Sequence, residues 1–203
     1  MREIILASSS PRRNELLQNL KIPFKVCVPE VDENLDKTLP SDIYVQELAL
    51  LKGSAVLKQC RQRSNVVIIA ADTVVSKDKL ILGKPKDMDE ARMMLSMLSG
   101  KIHEVVSGIC VLDGHLAVCR YEKTEVVFKT LSDEQIESYI HTKEPFDKAG
   151  AYAMQGEASQ FVERIEGDYY NVVGLPMRLL CRILKENFSL DTAKFGIENE
   201  IKL

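Results

Sequence analysis

The chain has 203 residues, with 27 basic against 30 acidic side chains and a formal net charge of −3; it is long enough to bury a sizeable core in one α/β unit or two closely joined lobes. Near-neutral charge excludes a generic binder of nucleic acid or of an anionic membrane surface, and no apolar run reaches the ~20 residues of a membrane-spanning helix. Cys27, Cys60, Cys110, Cys119 and Cys181 are dispersed without paired spacing, which reads as reduced thiols in a cytoplasmic setting and as neither a disulfide frame nor a zinc site.

Ile4-Ile5-Leu6 reads as a buried strand. Ser8-Ser9-Ser10 break it, and Pro11 opens a helical pattern with Leu16, Leu17 and Leu20 on one face. Ser10 suits the N-cap, and Pro11 the first helical position, where a missing N–H costs nothing. Arg12 and Arg13 then fall in the first turn, the end at which the helix dipole disfavours cations. Two arginines beside free N–H groups and hydroxyls make sense where an anion docks, phosphate first among candidates; two solvated arginines on a surface helix is the competing reading.

Phe24 to Val28 alternates as a strand and runs into the acidic loop Pro29-Glu30-Val31-Asp32-Glu33. Ser41 is expected to cap a long helix bearing Ile43, Leu48, Leu51, Lys52 and Ala55. Val66-Val67-Ile68-Ile69-Ala70-Ala71 has the pattern of a central strand covered on both faces. It is expected to end at Asp72-Thr73, where a carboxylate is costly unless it lines a cleft or finds a partner. A short hairpin follows, Val74-Val75 with Leu80-Ile81-Leu82. Asp87 and Glu90 have capping-box spacing ahead of a helix closed by Gly100, with Met93, Met94, Met97 and Leu98 as core filler.

Val105 to Leu112 and Leu116 to Lys129 read as a hairpin about Asp113-Gly114, and Ser132 with Gln135 as a capping box before a helix to about His141. The stretch from Glu144 to Gly156 is loop-rich. Phe161-Val162 and Tyr169 to Val173 are hydrophobic runs split at Glu166-Gly167-Asp168, as in a hairpin. Gly174-Leu175-Pro176 opens a last amphipathic helix through Leu179, Leu180, Ile183 and Leu184. Residues 1–188 thus read as one domain of two lobes and 189–203 as a peripheral tail. Interleaved strands and helices with two hairpins make a mixed-sheet α/β fold.

The chemistry-bearing residues pool into an anion site at Ser8, Ser10, Arg12 and Arg13, further cations at Lys52, Lys84 and Lys148, an amide at Gln155, and carboxylates at Glu33 and Asp72. Hard carboxylate oxygens suit magnesium, which takes one or two of them together with substrate phosphates. Read singly, Lys52 and Lys84 are ordinary solvated lysines and Glu33 a surface charge; Asp72, directly after a buried run, is the hardest to dismiss. His103, His115 and His141 have no ligand spacing.

The chain also carries six motifs in order: Ser8-Ser9-Ser10-Pro11-Arg12-Arg13, Ala71-Asp72-Thr73, Gly83-Lys84-Pro85, Leu98-Ser99-Gly100, Glu144-Pro145 with Asp147-Lys148-Ala149-Gly150-Ala151-Tyr152, and Val173-Gly174-Leu175-Pro176. Spread from residue 4 to about 187, they resemble the Maf family of nucleoside triphosphate pyrophosphatases. The resemblance implies an elongated, curved mixed β-sheet flanked by helices, with two lobes around a deep cleft, similar to inosine triphosphate pyrophosphatases. It also implies hydrolysis of a nucleoside triphosphate between the α and β phosphates with a divalent cation, magnesium or manganese, and is compatible with a homodimer.

Carried over by residue, Asp72 matches the family's proton acceptor and Glu33 a further cleft position, and these two carboxylates are the expected metal ligands. Arg12, Thr73 and Gln155 match positions tied to substrate choice, and Ser8, Arg13, Lys52 and Lys84 match further cleft positions. Threonine after the aspartate and glutamine later mark the branch preferring dTTP and UTP; glutamine and glutamate there mark a branch preferring 7-methyl-GTP. Ala153-Met154 stands where the family usually has Gly-Ile, which restricts the backbone before Gln155. A nucleotidyltransferase, which expects a glycine-rich first loop, and a septum-formation regulator acting by binding are the competing readings.

Overall fold

The computed structural model describes residues 2–60 and 65–193. β1 (Glu3–Ala7) leads through the serine turn into α1 (Pro11–Gln18). Ser10 is the N-cap, its Oγ accepting the Arg13 N–H at 3.4 Å. The helix stops at Gln18, and Leu20 lies beyond it, half-buried against the core. β2 (Lys25–Cys27) follows, then α2 (Ser41–Gln59), whose N-cap is Pro40 and not the expected Ser41. Pro40 already supplies the first helical acceptor, its carbonyl taking the Tyr44 N–H at 2.9 Å, which leaves Ser41 inside the helix.

β3 (Val66–Lys77) corrects a second expectation: it does not end at Asp72-Thr73 but runs unbroken for 12 residues, with that polar pair in its middle and Val74-Val75 as its continuation. β4 (Leu80–Leu82) folds back on it. α3 (Met88–Leu98) is capped by Asp87, whose Oδ1 accepts the Glu90 N–H at 2.8 Å. Met94 and Leu98 are buried on α3, but Met93 faces solvent, one position off the apolar stripe. β5 (Ile102–Leu112) and β6 (Ala117–Phe128) form the long hairpin, and α4 (Asp133–His141) carries the complete Ser132/Gln135 capping box.

Three short 3-10 turns, Glu144–Asp147, Ala149–Ala151 and Glu157–Phe161, order the loop-rich stretch. β7 (Val162–Glu166) pairs with β6. Tyr169–Val173, expected as the second arm of a hairpin, is instead the helix α5. Asp168 caps it, accepting the Tyr170 N–H at 2.8 Å, and Gly174 closes it at φ +122°, a conformation glycine alone adopts without strain. α6 (Met177–Phe188) completes the fold. Past its end Leu190 packs on the core and donates its N–H to Leu184 O at 2.9 Å; residues 194–203 of the expected tail lie outside the described residues.

The seven strands form one mixed sheet in the order β2-β1-β3-β5-β6-β7, with β4 also on β3. β5 covers one edge of β3 from Ile68 to Ser76. On the other edge, parallel β1 pairs only as far as Ala7↔Ala70, and β4 pairs only from Val75↔Leu82. Residues 71–74 of β3 therefore have no strand beside them on that edge. Four apolar clusters follow the same division: two flank the β1 half of β3, around α6 and under the middle of α2, and two flank the β4 half, around α3 with α4 and under the start of α2.

α2 crosses both halves on one face, and two glycines let it lie close. A Cβ on Gly108, which pairs with Asp72 in the sheet, would stand 2.3 Å from Val45 O on α2, and one on Gly53 2.5 Å from the Leu112 side chain. The first contact is with backbone and cannot be relieved by a rotamer change. Gly108→Ala is expected to destabilise the fold by about 1–3 kcal/mol through overpacking, read as a lower Tm in thermal unfolding; an unchanged Tm would mean that α2 rides clear of β5.

Candidate active site

The gap on the β3 edge is the floor of a cleft of about 640 Å³, within the usual range for small-molecule sites. Because side chains alternate across a strand, a strand exposed at its edge can offer both faces to one cavity: Asp72 lies on the α2 face and Thr73 on the other, and both line the cleft. One wall is the turn from β1 into α1, with Ser10, Arg12 and Arg13. The opposite wall is the end of β4 with Gly83 and Lys84, together with the segment from Asp147 to Gln155. Gly150 ties these last two pieces together, its N–H bonding Gly83 O at 3.0 Å.

Asp72 and Lys52 form a buried ion pair, Nζ to Oδ1 at 2.6 Å, and the same ammonium lies 2.8 Å from Glu33 Oε2. Lys52 is 7% and Asp72 8% exposed, whereas the Glu33 side chain, on the loop before α2, is half open. Among the described residues no protein donor reaches Asp72 Oδ2. Tyr44 lines the cleft beside this group; burial first, then the negative charges of Asp72 and Glu33, push its phenol above the ordinary value.

Arg13 is fixed from behind. Its Nε donates to Gly174 O at 2.8 Å and its Nη2 to Thr73 Oγ1 at 3.1 Å. Ser107 Oγ, fully buried, donates to Asn171 O at 3.0 Å, so in the 2.8 Å contact between Thr73 and Ser107 it is Thr73 that donates. The Thr73 hydroxyl thus gives its proton to Ser107, with Gly174 O a longer alternative at 3.4 Å, and accepts from Arg13. Asn171 anchors the chain of bonds, its Nδ2 donating to Val105 O at 3.0 Å and Thr124 Oγ1 at 2.9 Å. Burial draws the Arg13 guanidinium below the usual arginine value, an effect that Asp72 opposes.

Every sequence-predicted site residue but one lines this cleft. Ser8 is the exception: it is buried and its Oγ accepts the Ser10 N–H at 3.1 Å, so it shapes the turn and does not face the cavity. Lys84 and Gln155 are exposed at the rim, and Arg12 makes no hydrogen bond or ion pair among the described residues. Lys148 is buried, its ammonium donating to Glu144 O at 2.8 Å and Asp147 Oδ1 at 2.6 Å. Glu144 also holds the loop that presents Gln155: its carboxylate accepts from Tyr139 OH at 3.2 Å and from the Glu157 N–H at 3.1 Å, and it occupies the place of any side chain at Gly156.

Lys37, Tyr44, Asp147 and Tyr152 also line the cleft; Asp147 and Tyr152 lie in the fifth sequence motif without an assigned role, and Lys37, a lone lysine in an acidic loop, and Tyr44, a tyrosine in an apolar pattern, carry no local signal. In all, six cations (Arg12, Arg13, Lys37, Lys52, Lys84, Lys148) face three carboxylates (Glu33, Asp72, Asp147) in the cleft. A positive cleft in a chain of net charge −3 focuses anionic ligands. Among the described residues no group of three or more His, Cys, Asp or Glu converges. Two carboxylates do meet at one point, at Lys52 Nζ, and two carboxylate ligands completed by water and phosphate are the set that a magnesium ion in a phosphate site uses. The donor set fits a hard divalent cation.

A family model described as Maf-like protein matches residues 3–187. The chain is 50% identical over 192 residues to a dTTP/UTP pyrophosphatase of Bacillus cereus (strain ATCC 14579), covering 94% of this chain and 98% of the relative. It is 51% identical over 187 residues to a dTTP/UTP pyrophosphatase of Bacillus mycoides (strain KBAB4), covering 92% and 96%. Among solved structures, the Staphylococcus aureus Ham1 protein superposes with a TM-score of 0.52 at 15% identity, covering 91% of this chain and 98% of that one, a likeness of fold alone. No helix among the described residues is long and apolar enough to cross a membrane.

Behind the cleft wall, Tyr152 OH meets His103 Nε2 at 2.7 Å. Burial first, then the charge of Lys77, lowers the His103 value to about 4. The unfolded chain, with an ordinary histidine near 6.5, binds a proton that the folded chain refuses. This contribution to stability is complete above about pH 6.5 and is lost as pH falls towards about 4, by roughly 3 kcal/mol across the window. Denaturant unfolding at pH 7 and 4.5 should show that loss in the wild type and a shallower one in His103→Gln; equal slopes would remove His103 as its source.

Proposed function

The chain belongs to the Maf-like protein family, and from that premise we propose that it hydrolyses dTTP and UTP to the nucleoside monophosphate and pyrophosphate, cutting the bond between the α and β phosphates. The observation that carries the reading is a buried carboxylate, Asp72, with one oxygen held by Lys52 and the other facing a cation-lined cleft, in a chain half identical over nearly its whole length to dTTP/UTP pyrophosphatases.

Phosphoryl transfer leaves a protein mainly positioning and charge neutralisation to supply. Arg12, Lys84 and the Nη1 of Arg13, which has no partner among the described residues, neutralise the phosphate chain; the guanidinium fork of Arg13 is already oriented by Gly174 and Thr73, so little is lost to ordering when phosphate arrives. Asp72 Oδ2 takes the proton of the attacking water. Glu33 and Asp72 would hold a divalent cation, magnesium or manganese, which when bound adds charge neutralisation at the phosphates and makes nearby water more acidic. The neutral amide of Gln155, on the rim, exchanges hydrogen bonds with a neutral pyrimidine. Thr73 acts differently: with its hydroxyl engaged on both sides within the protein, it serves the substrate through Arg13 and not by touching the base.

The direct test is pyrophosphate release from a panel of nucleoside triphosphates, modified bases included, with magnesium or manganese; preference for dTTP and UTP is expected, and preference for 7-methyl-GTP would overturn the assignment. Asp72→Asn should lower turnover by about a hundredfold or more, because the nearly isosteric amide accepts no proton at neutral pH. Thr73→Val should lower kcat/KM for dTTP and UTP alike, by about tenfold for a lost charged hydrogen bond, while leaving the ratio of UTP to 7-methyl-GTP unmoved. A shifted ratio would show that Thr73 reads the base itself.

A further inference from the structure

Lys52 stands where a cation bridging Glu33 and Asp72 would stand. Its ammonium lies 2.6 Å from one carboxylate and 2.8 Å from the other, and it is held there by α2, whose close seating on the sheet at Gly53 and Gly108 allows little movement of the backbone. We propose that Lys52 is a place-holder: it neutralises Glu33 and Asp72 in the nucleotide-free protein and yields them to a divalent cation only when a triphosphate offers its ammonium new partners. The proposal rests on the pyrophosphatase reading for its metal and adds an order of events to it.

Without Lys52 the buried Asp72 carboxylate and its neighbour Glu33 would repel each other in a poorly solvated cleft, an arrangement that is strongly unfavourable without a counter-charge. One ammonium relieves this. A divalent cation cannot share the position, because it would meet the ammonium at ion-pair distance with like charge. The side chain must therefore swing away first, and a buried ammonium leaves its carboxylates only for another anion. In the cleft the substrate's phosphates are that anion. Lysine suits the task where arginine would not, being a compact charge on a flexible stem with no fixed fork to lock it in place. Arg13 and Tyr44, the other polar groups packed beside the carboxylates, cannot take the role: Arg13 is tied to Gly174 and Thr73, and Tyr44 carries no charge. Cation and nucleotide are then positively coupled, each tightening the other by the same factor.

The test is a manganese titration of the full chain, free ion read by electron paramagnetic resonance. It is run with and without a UTP analogue whose α–β bridging oxygen is a methylene. Wild type should bind manganese weakly alone and about tenfold or more tightly with the analogue, within the ordinary range of two-ligand coupling. Lys52→Met should bind manganese about tenfold more tightly than wild type without any nucleotide, and should gain less from the analogue than wild type does, because only the phosphate ligands and not the release of the ammonium remain to be gained. Lys84→Met, which removes a cleft lysine with no carboxylate partner among the described residues, should match wild type in the nucleotide-free titration.

The proposal is overturned if Lys52→Met binds manganese no more tightly than wild type, or if Lys84→Met gains as much, which would reduce the effect to general cleft charge. Because Lys52→Met leaves carboxylates unpaired and is less stable, thermal unfolding gives a second reading: manganese should raise its Tm more than that of wild type, and an equal rise counts against the place-holder. Pyrophosphate release by wild type from dTTP is measured alongside. A protein that hydrolyses dTTP yet shows no Lys52 effect keeps its proposed function and loses this inference; one that releases no pyrophosphate loses the function.

Discussion

The site exists because β3 is paired on one edge throughout and on the other only at its ends. β1 stops at Ala7 and β4 starts at Leu82, and the β3 residues between them are backed by β5 alone. A fully paired strand would bury both of its faces under helices and leave no room for a ligand. A strand with no partner beyond Ala71 would be free to bend away from the sheet. Support on one side and an opening on the other produce a rigid backbone that is also accessible. Two adjacent residues on opposite faces, Asp72 and Thr73, can then serve one cavity while their backbone is held by the ladder to Gly108 and Ser107.

The two residues use this placement in opposite ways. Asp72 keeps one oxygen for Lys52 and leaves the other towards the cleft. Thr73 turns inwards, and its hydroxyl joins Arg13 to Ser107 and through it to α5. The result is a charged group, Arg13, whose position is set by three elements far apart in sequence: α1 carries it, β3 supplies Thr73 and the end of α5 supplies Gly174 O. Such bonds are stronger in a buried setting than in water, and they raise the cost of leaving any one member unpaired. On the proposed function, loss of the Thr73 hydroxyl would therefore be felt at Arg13 without Thr73 touching the substrate.

Much of this was legible in the sequence wherever the signal was local. Ser10 and Pro11 announced the start of α1 through capping chemistry, Ser132 and Gln135 did the same for α4, and the β-branched run at Val66 announced the central strand. The end of that strand was misread at Asp72, because a polar pair normally closes a buried strand; only the ladder to β5, a contact distant in sequence, carries it through. Tyr169–Val173 was misread for a related reason, since a five-residue helix has too few turns to display a period and its cap, Asp168, looked like a turn residue. For the site, the sequence singled out every charged residue of the cleft except Lys37 and Asp147 as a site candidate, yet no motif could say which groups touch. That Lys52 lies between two carboxylates, that Ser8 faces away, and that Thr73 is engaged by Arg13 are properties of three dimensions.

The cleft is not uniformly rigid, and the division has a chemical sense. Its floor and inner wall (Asp72, Lys52, Arg13, Thr73) are buried or multiply bonded, and on the proposed reaction they hold the proton acceptor for the attacking water and one of the phosphate-binding cations. Its rim (Arg12, Lys84, Gln155 and Glu33) is more exposed or lightly held. Of these Gln155 alone is placed by a dedicated clamp, the Glu144 carboxylate that fixes the adjoining loop. On the proposed function, a fixed inner site would set one bond cleavage for any triphosphate that enters, and Gln155, whose loop is braced from behind by Glu144, would meet the base. On that reading, a change at Gln155 or at the Glu144 brace would alter substrate range while leaving the bonds that hold Asp72 and Arg13 untouched.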